Sequence, residues 1–358
     1  MYNKIQLIAY HTPTLLGSPT KKPAPIVPSP KPINALSNND EKYRVFRIYQ
    51  ILLWAATDPA VDTSQNTLKI FMAPEFYFKT PGPSSKGGKR GAGAFGAYSF
   101  NTMINMLESL RTIFTTPIAG AKPGLLKQWL IIPGTIVSDL PGGCKSYSTK
   151  PADNVYMNTA VVVKGEKGGL FHYVHKYFIS GIDGPPIEKS ISRTDPYKNV
   201  LEKLKQRGHD EFDSYRFNID NLSFALDICL DHAEGVAKKV SQQKVDVHLV
   251  TSCGMQLIDK SIVAKANGHA MICDGSPNDN FPRSDVRKFF GGKLKDSKWK
   301  GNTIQDATRK PIPEDLRIGA FDSVDFFKNG VSVHKFKKKD VPDFMFPEEI
   351  VWYKAVMA

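Results

Sequence analysis

The sequence predicts an α/β protein built on two mixed β-sheets, and three observations carry that prediction. Short apolar strand-like runs alternate with stretches of helical spacing, which argues for helices layered on sheets rather than a bundle or an all-β barrel. Two pairs of runs, at 156–178 and 215–229, are joined by turn residues and read as hairpins, so the sheets are mixed. The helical stretches carry one apolar stripe each, enough to cover one side of a sheet. Two sheets packed face to face with helices outside satisfy all three. The 358 residues would bury about three quarters of their unfolded surface as one unit. Length alone allows one domain or two.

Residues 3–10 alternate well enough for a first strand. Residues 17–34 hold six prolines and three lysines, which exclude a helix or a central strand and predict an exposed loop. Val45, Phe46, Tyr49, Leu52, Leu53 and Ala56 have helical spacing behind Asn/Asp cap candidates at 38–40. Residues 68–78 form a β-rich run that contains Glu75. The basic, glycine-rich stretch 79–97 reads as a loop placed to act as a lid, and it lacks the GxxxxGK[ST] phosphate cradle. Phe100, Met103, Ile104, Leu107, Leu110 and Phe114 share a helical face. Trp129–Val137 reads as one buried strand, 156–163 as the next, and 170–178 as its return. A short helix is expected at 197–206, strands over 215–229, and an amphipathic helix over 233–243. A strand at 245–251, a helix near 259–267 and a strand at 269–273 follow. Two short strands are expected between 318 and 336.

Four scattered cysteines, with no CxxC pair and no apolar signal core at the N-terminus, predict free thiols in a reducing, cytoplasmic setting. No apolar stretch approaches the roughly 20 residues of a transmembrane helix. No Cys/His spacing matches a zinc site. The formal net charge is +13, and Arg283–Lys339 alone holds fifteen Lys/Arg against seven Asp/Glu. A solvated surface accounts for this, and the sharper readings are an acidic partner for 283–339, an anionic membrane surface or nucleic acid. No nucleic-acid motif accompanies the charge.

Three reactive residues stand where apolar runs end. Glu75 closes Leu68–Glu75, Lys176 closes Leu170–Lys176, and Cys229 closes Leu222–Cys229. Charged groups within such runs are costly unless paired or used. A thiol attacks as its thiolate and needs a base or a positive charge beside it. Glu75, its pKa raised in a partly apolar site, would take and return the thiol proton. Lys176 would offset thiolate and oxyanion charge, and the Leu230 backbone N–H would be a second oxyanion donor. Taken singly, a buried cysteine is most often a small hydrophobe, which is our reading of Cys144, Cys253 and Cys273.

Five stretches in order resemble the nitrilase superfamily, the carbon–nitrogen hydrolases. They are Ala73-Pro74-Glu75; Asn158-Thr159-Ala160 with Tyr173-Val-His-Lys176 after a glycine turn; Ala225–Asp231 around Cys229; Asp246–Ser252; and Ala264–Ile272. The resemblance spans roughly residues 4–276. It implies a four-layer αββα sandwich over a hydrolase-like domain at 1–280; the remainder, 281–358, has no clear family counterpart and is expected to be a basic extension packed on the same domain. The resemblance also implies a Glu75–Lys176–Cys229 triad acting on a small amide or nitrile through a thioester, without metal or cofactor, and a homodimer. Glu188 matches a second family glutamate. Glu188, Leu230 and His232 are expected to bind substrate, although His232 stands where the family often has arginine and would equally cap a helix. Two alternatives stay open. One is a metal-dependent phosphoesterase of similar layering that recruits Glu75, Asp231 and His232. The other is a non-catalytic sandwich that binds through its basic surface.

Overall fold

A computed structural model of the chain describes residues 1–12, 14, 36, 39–79, 97–116, 124–139, 156–178, 215–275, 284–290, 292–294, 299–300, 303–304, 307–311 and 349–358. The expected loops at 17–34 and 79–97 fall almost wholly outside these residues. So do the helix at 197–206, the strands between 318 and 336, Cys144 and Glu188.

The chain alternates as predicted: β1 (Lys4–His11), α1 (Asn39–Thr57), β2 (Thr67–Met72), α2 (Phe100–Thr115), β3 (Trp129–Ile132), β4 (Thr135–Asp139), β5 (Tyr156–Lys164), β6 (Phe171–His175), β7 (Arg216–Ile219) and β8 (Leu222–Ile228). There follow α3 (Leu230–Glu234), α4 (Val236–Val240), β9 (Val245–Ser252), a 3₁₀ turn (Asp259–Ser261), β10 (Ala264–Asp274), β11 (Ser284–Phe290), β12 (Lys293–Leu294), β13 (Trp299–Lys300), β14 (Thr303–Ile304), β15 (Ala307–Pro311), β16 (Glu349–Tyr353) and β17 (Val356–Met357).

The first sheet has the order β15-β16-β1-β2-β3-β5-β4, with β17 also on β1 and β6 on the far side of β5. The second has the order β12-β11-β10-β9-β8-β7, and β13 and β14 form a separate ribbon. Both are mixed. β1, β2 and β3 run parallel, as do β8, β9 and β10, while the flanking strands are antiparallel. The period of two along each strand divides the core. Leu7, Ile70, Leu130 and Val162 of the first sheet meet Phe224, Leu226, Leu249 and Met271 of the second. The opposite face of the first sheet, with Ile8, Phe71, Ile131 and Val161, packs on Ile48, Leu52, Met103 and Leu110 of α1 and α2. The Ser99 hydroxyl caps α2 by accepting from Thr102 N at 3.1 Å.

The architecture is thus two mixed sheets face to face with helices outside. Among the described residues the outer cover of the second sheet is thin: α3, α4 and the 3₁₀ turn. The expected helix at 233–243 is two five-residue helices, because Gly235 breaks it in the left-handed region at φ 66°. The expected helix near 259–267 is only the 3₁₀ turn. β10 begins at Ala264, takes a register shift against β9 before His269, and carries Asn267 at φ 68°. Trp129–Val137 is two strands. Gly134, at φ 97°, turns the chain where a Cβ would lie 2.6 Å from Pro74 O and 2.7 Å from Tyr77 Cβ.

The segment after residue 281 is woven into both sheets: β11 and β12 extend the second, and β15, β16 and β17 extend the first. A buried polar clip joins them. His11 Nε2 lies 2.7 Å from Ser284 Oγ, His11 Nδ1 lies 3.0 Å from Glu349 Oε1, and Ser284 Oγ also meets Tyr353 OH at 2.7 Å. The order hydroxyl–imidazole–carboxylate is that of a nucleophile with its base. However, Ser284 and His11 are both fully buried and the hydroxyl is shared with Tyr353, so the cluster holds β1, β11 and β16 together.

Candidate active site

Crevices in parallel sheets open at the carboxyl ends of the strands, and two of the three predicted residues stand there. Glu75 follows the end of β2 and Cys229 the end of β8. Lys176 follows the end of β6, brought in by the β5–β6 hairpin. The ends are tied together by hydrogen bonds from the backbone and one side-chain hydroxyl. Cys229 N donates to Thr251 O at 3.0 Å, Thr251 Oγ1 donates to Ala73 O at 3.1 Å, and Glu75 N donates to Ser252 O at 3.3 Å.

Glu75 and Lys176 meet directly. Lys176 Nζ lies 2.7 Å from Glu75 Oε1, and both side chains are 0% exposed. Asn158 Nδ2 donates to the same oxygen at 2.8 Å, while Asn158 O accepts from Lys176 N at 2.8 Å. The Lys176 ammonium also lies 5.6 Å from the centre of the Phe76 ring. A buried ion pair survives only with such supporting bonds. Asn158 thereby joins the cluster, a position that strand pattern alone does not assign. Its signal was an amide at the start of an otherwise apolar run.

Cys229 is 5% exposed, and its backbone is strained, with φ 46° and ψ −108°. Phe76, just after Glu75, has φ 65°. Non-glycine residues in such conformations cost on the order of 1–3 kcal/mol and persist where surrounding bonds over-determine them. The other two described thiols differ. Cys253 and Cys273 are at most 1% exposed, and burial pushes both well above the ordinary thiol range. Cys273 Sγ is directed at the carbonyls of Tyr10 and Met72 between the sheets.

Asp231, two residues past Cys229, fastens the cysteine and lysine segments to each other. Its Oδ2 accepts from Tyr177 N and its Oδ1 from Phe178 N, both at 2.7 Å. Tyr215 OH spans His175 O at 2.8 Å and Asp231 Oδ2 at 3.3 Å. Burial pushes the Asp231 carboxyl up, while the two N–H donors and the Lys176 ammonium pull it down.

Leu230 opens α3, so its N–H has no intrahelical acceptor, and none is found among the described residues. His232, expected either to bind substrate or to cap the following helix, is turned toward Asp227 and Ile258. The ring is fully buried, with Nδ1 3.2 Å from Asp227 Oδ2 and Nε2 accepting from Ile258 N at 3.0 Å. Among the described residues, the group close enough to share a metal ion is Asp227, His232 and His248, and it includes neither Glu75 nor Asp231. The sequence reading missed Asp227 and His248, the polar interruptions of two buried strands.

Fold and site together define an α/β sandwich with a buried acid–amide–cation cluster and a strained cysteine, both placed where its strands end. No family model matches the sequence, and no curated protein matches it. In fold the chain is similar to solved members of the nitrilase superfamily. Nit3 of Saccharomyces cerevisiae, described as a member of branch 10 of that superfamily, is 12% identical, with 82% of this chain and 84% of that one covered and a TM-score of 0.40. An amidase from Nesterenkonia sp. gives the same four figures. XC1258 of Xanthomonas campestris, described as a CN-hydrolase superfamily protein with an arsenic adduct in its active site, is 10% identical, covers 82% and 85%, and has a TM-score of 0.36. Likeness at this level carries no chemistry across, and the fold class rests on this chain's own strand order.

Proposed function

We propose that the protein is a cysteine-dependent hydrolase of nonpeptide carbon–nitrogen bonds, of the nitrilase type, with small amides as its substrate class. The observation that carries the reading is the buried Lys176–Glu75–Asn158 cluster at the same sheet ends as the strained Cys229. Asn158 and Lys176 both hold Oε1, which fixes the carboxylate's orientation. Glu75 takes the thiol proton as sulfur attacks the carbonyl carbon. Lys176 and the Leu230 N–H stabilise the oxyanion. Collapse expels the amine, which leaves with the proton from Glu75, and a thioester remains. Water attacks the thioester, giving its proton to Glu75, and the acid leaves as that proton returns to sulfur.

Iodoacetamide labelling with intact-mass and peptide readout tests the reading. Cys229 is expected to react faster at pH 7 than Cys253 and Cys273, and Cys229→Ala to remove the fast adduct. Equal rates for the three thiols overturn it. Glu75→Gln is expected to lower turnover of a responsive amide about 10²–10⁴-fold.

A further inference from the structure

Behind Cys229, on the outer face of the second sheet, lies a buried cluster that the proposed chemistry does not use. Asp227 Oδ2 lies 2.9 Å from His248 Nε2 and 3.2 Å from His232 Nδ1, and Asp227 Oδ1 accepts from Ala237 N at 3.2 Å. All three side chains are 0% exposed. The remaining ring nitrogens accept backbone N–H groups, His232 Nε2 from Ile258 and His248 Nδ1 from Val263 at 3.3 Å. Those two N–H groups fix the tautomers. A nitrogen that accepts carries no proton, so each neutral ring has its proton on the nitrogen facing Asp227. Burial alone would push the Asp227 carboxyl up, yet the two ring donors hold it below its ordinary range.

The three groups lie close enough to suggest a metal centre. The donor chemistry argues otherwise. A metal at Asp227 needs a lone pair on each facing nitrogen, which moves each ring proton to the far nitrogen, against a backbone N–H. The cluster fits protons and not a metal ion.

Its position gives it work. Asp227 stands two residues before Cys229 and His232 three after it, so their bond closes across the strained turn. Inside that loop His232 N donates to Cys229 O at 2.8 Å. His248 anchors the same carboxylate to β9, whose Thr251 O accepts from Cys229 N.

We propose that Asp227 is a positioning residue for the nucleophile, acting through His232 and His248 to hold the Cys229 backbone in its strained conformation. The proposal rests on the reading of Cys229 as the nucleophile.

Asp227→Asn is the sharp variant, because an amide cannot accept from both rings and Ala237 N and remain satisfied. The rate of Cys229 carbamidomethylation is followed against pH in the full chain, with Cys253 and Cys273 as internal references. The expected result is a Cys229 profile displaced upward by about one unit and a rate at pH 7 about tenfold lower, with the references unchanged. An unchanged Cys229 profile overturns the proposal. So does faster labelling of all three thiols together, which reports general loosening.

If Asp227→Asn does not fold, His232→Asn and His232→Leu decide. The amide keeps a donor near the Nδ1 position, so the Leu variant is expected to displace the profile further, and equal profiles overturn the proposal. Zn²⁺ that raises the wild-type melting temperature, but not that of Asp227→Asn, overturns it in favour of a metal centre. The nucleophile reading is judged on wild-type Cys229 against its two reference thiols. The positioning role is judged on variant against wild type at Cys229, so either can fail without concealing the other.

Discussion

Glu75 and Lys176 are each other's main compensation, and removing either alone is unequal. Lys176→Met strands a buried carboxylate and is expected to cost about 3–5 kcal/mol. Glu75→Gln leaves an amide oxygen for the ammonium and costs less. The double variant is expected to be more stable than Lys176→Met in urea unfolding, and strictly additive losses would show that the pair is not energetically coupled. A second titratable group sets an acid limit. His269 is 5% exposed, and burial together with Lys288 lowers its pKa to about 4. The unfolded chain holds that proton up to about pH 6.5. Between about pH 4 and 6.5 the unfolded state therefore binds more protons, and stability rises with pH by up to about 3 kcal/mol. His269→Leu is expected to flatten the melting temperature against pH across that window, and an unaltered slope would remove His269 as the cause.

At the scale of elements, the turn between β3 and β4 supports the segment that carries Glu75. Gly134→Ala places a Cβ against Pro74 O and Tyr77 Cβ at a positive φ. A loss above about 2 kcal/mol is expected, because a backbone atom cannot move aside as a side chain can. The Asp231 link is a different kind of joint. Asp231→Asn removes one of two acceptors and is expected to cost about 1–3 kcal/mol. Amide exchange at Tyr177 and Phe178 should accelerate while β5 remains protected, and uniform acceleration would show that the link is not local. Elements with long periodic patterns, α1 and α2, were legible in the sequence, as were the β5–β6 and β7–β8 hairpins. Residues 233–243 and 259–267 misled, because helical composition there lost to Gly235 in its left-handed conformation and to parallel pairing with β9. The positions of Glu75, Lys176 and Cys229 at the ends of apolar runs were legible, and the structure places them just after β2, β6 and β8. Asn158, Asp227 and His248 were not assigned, because a polar residue inside a strand reveals its partner only when its neighbour strand is known.

For the molecule as a whole, the last strands close the structure. β16 lies between β1 and β15, and Trp352 Nε1 donates to Ala55 O of α1. Deleting 349–358 uncovers one edge of β1 and part of both apolar faces of the first sheet. The shortened chain is expected to lose its cooperative unfolding transition, and a retained sharp transition would show that β16 is an accessory strand. Among the described residues no helix is long and apolar enough to cross a membrane. The basic 283–339 segment supplies β11, β12 and β15 to the sheets, and its acidic partner remains a proposal for binding measurements.

The sequence by itself determined the period of each strand, the alternation of strand and helix, and which reactive side chains sit where strands end. All of these are local, written in neighbours two to four positions apart. Only the tertiary structure decided that Lys176 meets Glu75 across 101 positions, and that His232 turns to Asp227. It also decided that the segment after residue 281 gives strands to both sheets. Those outcomes depend on strand order and on which sheet face is covered, and the local period of the sequence does not encode either.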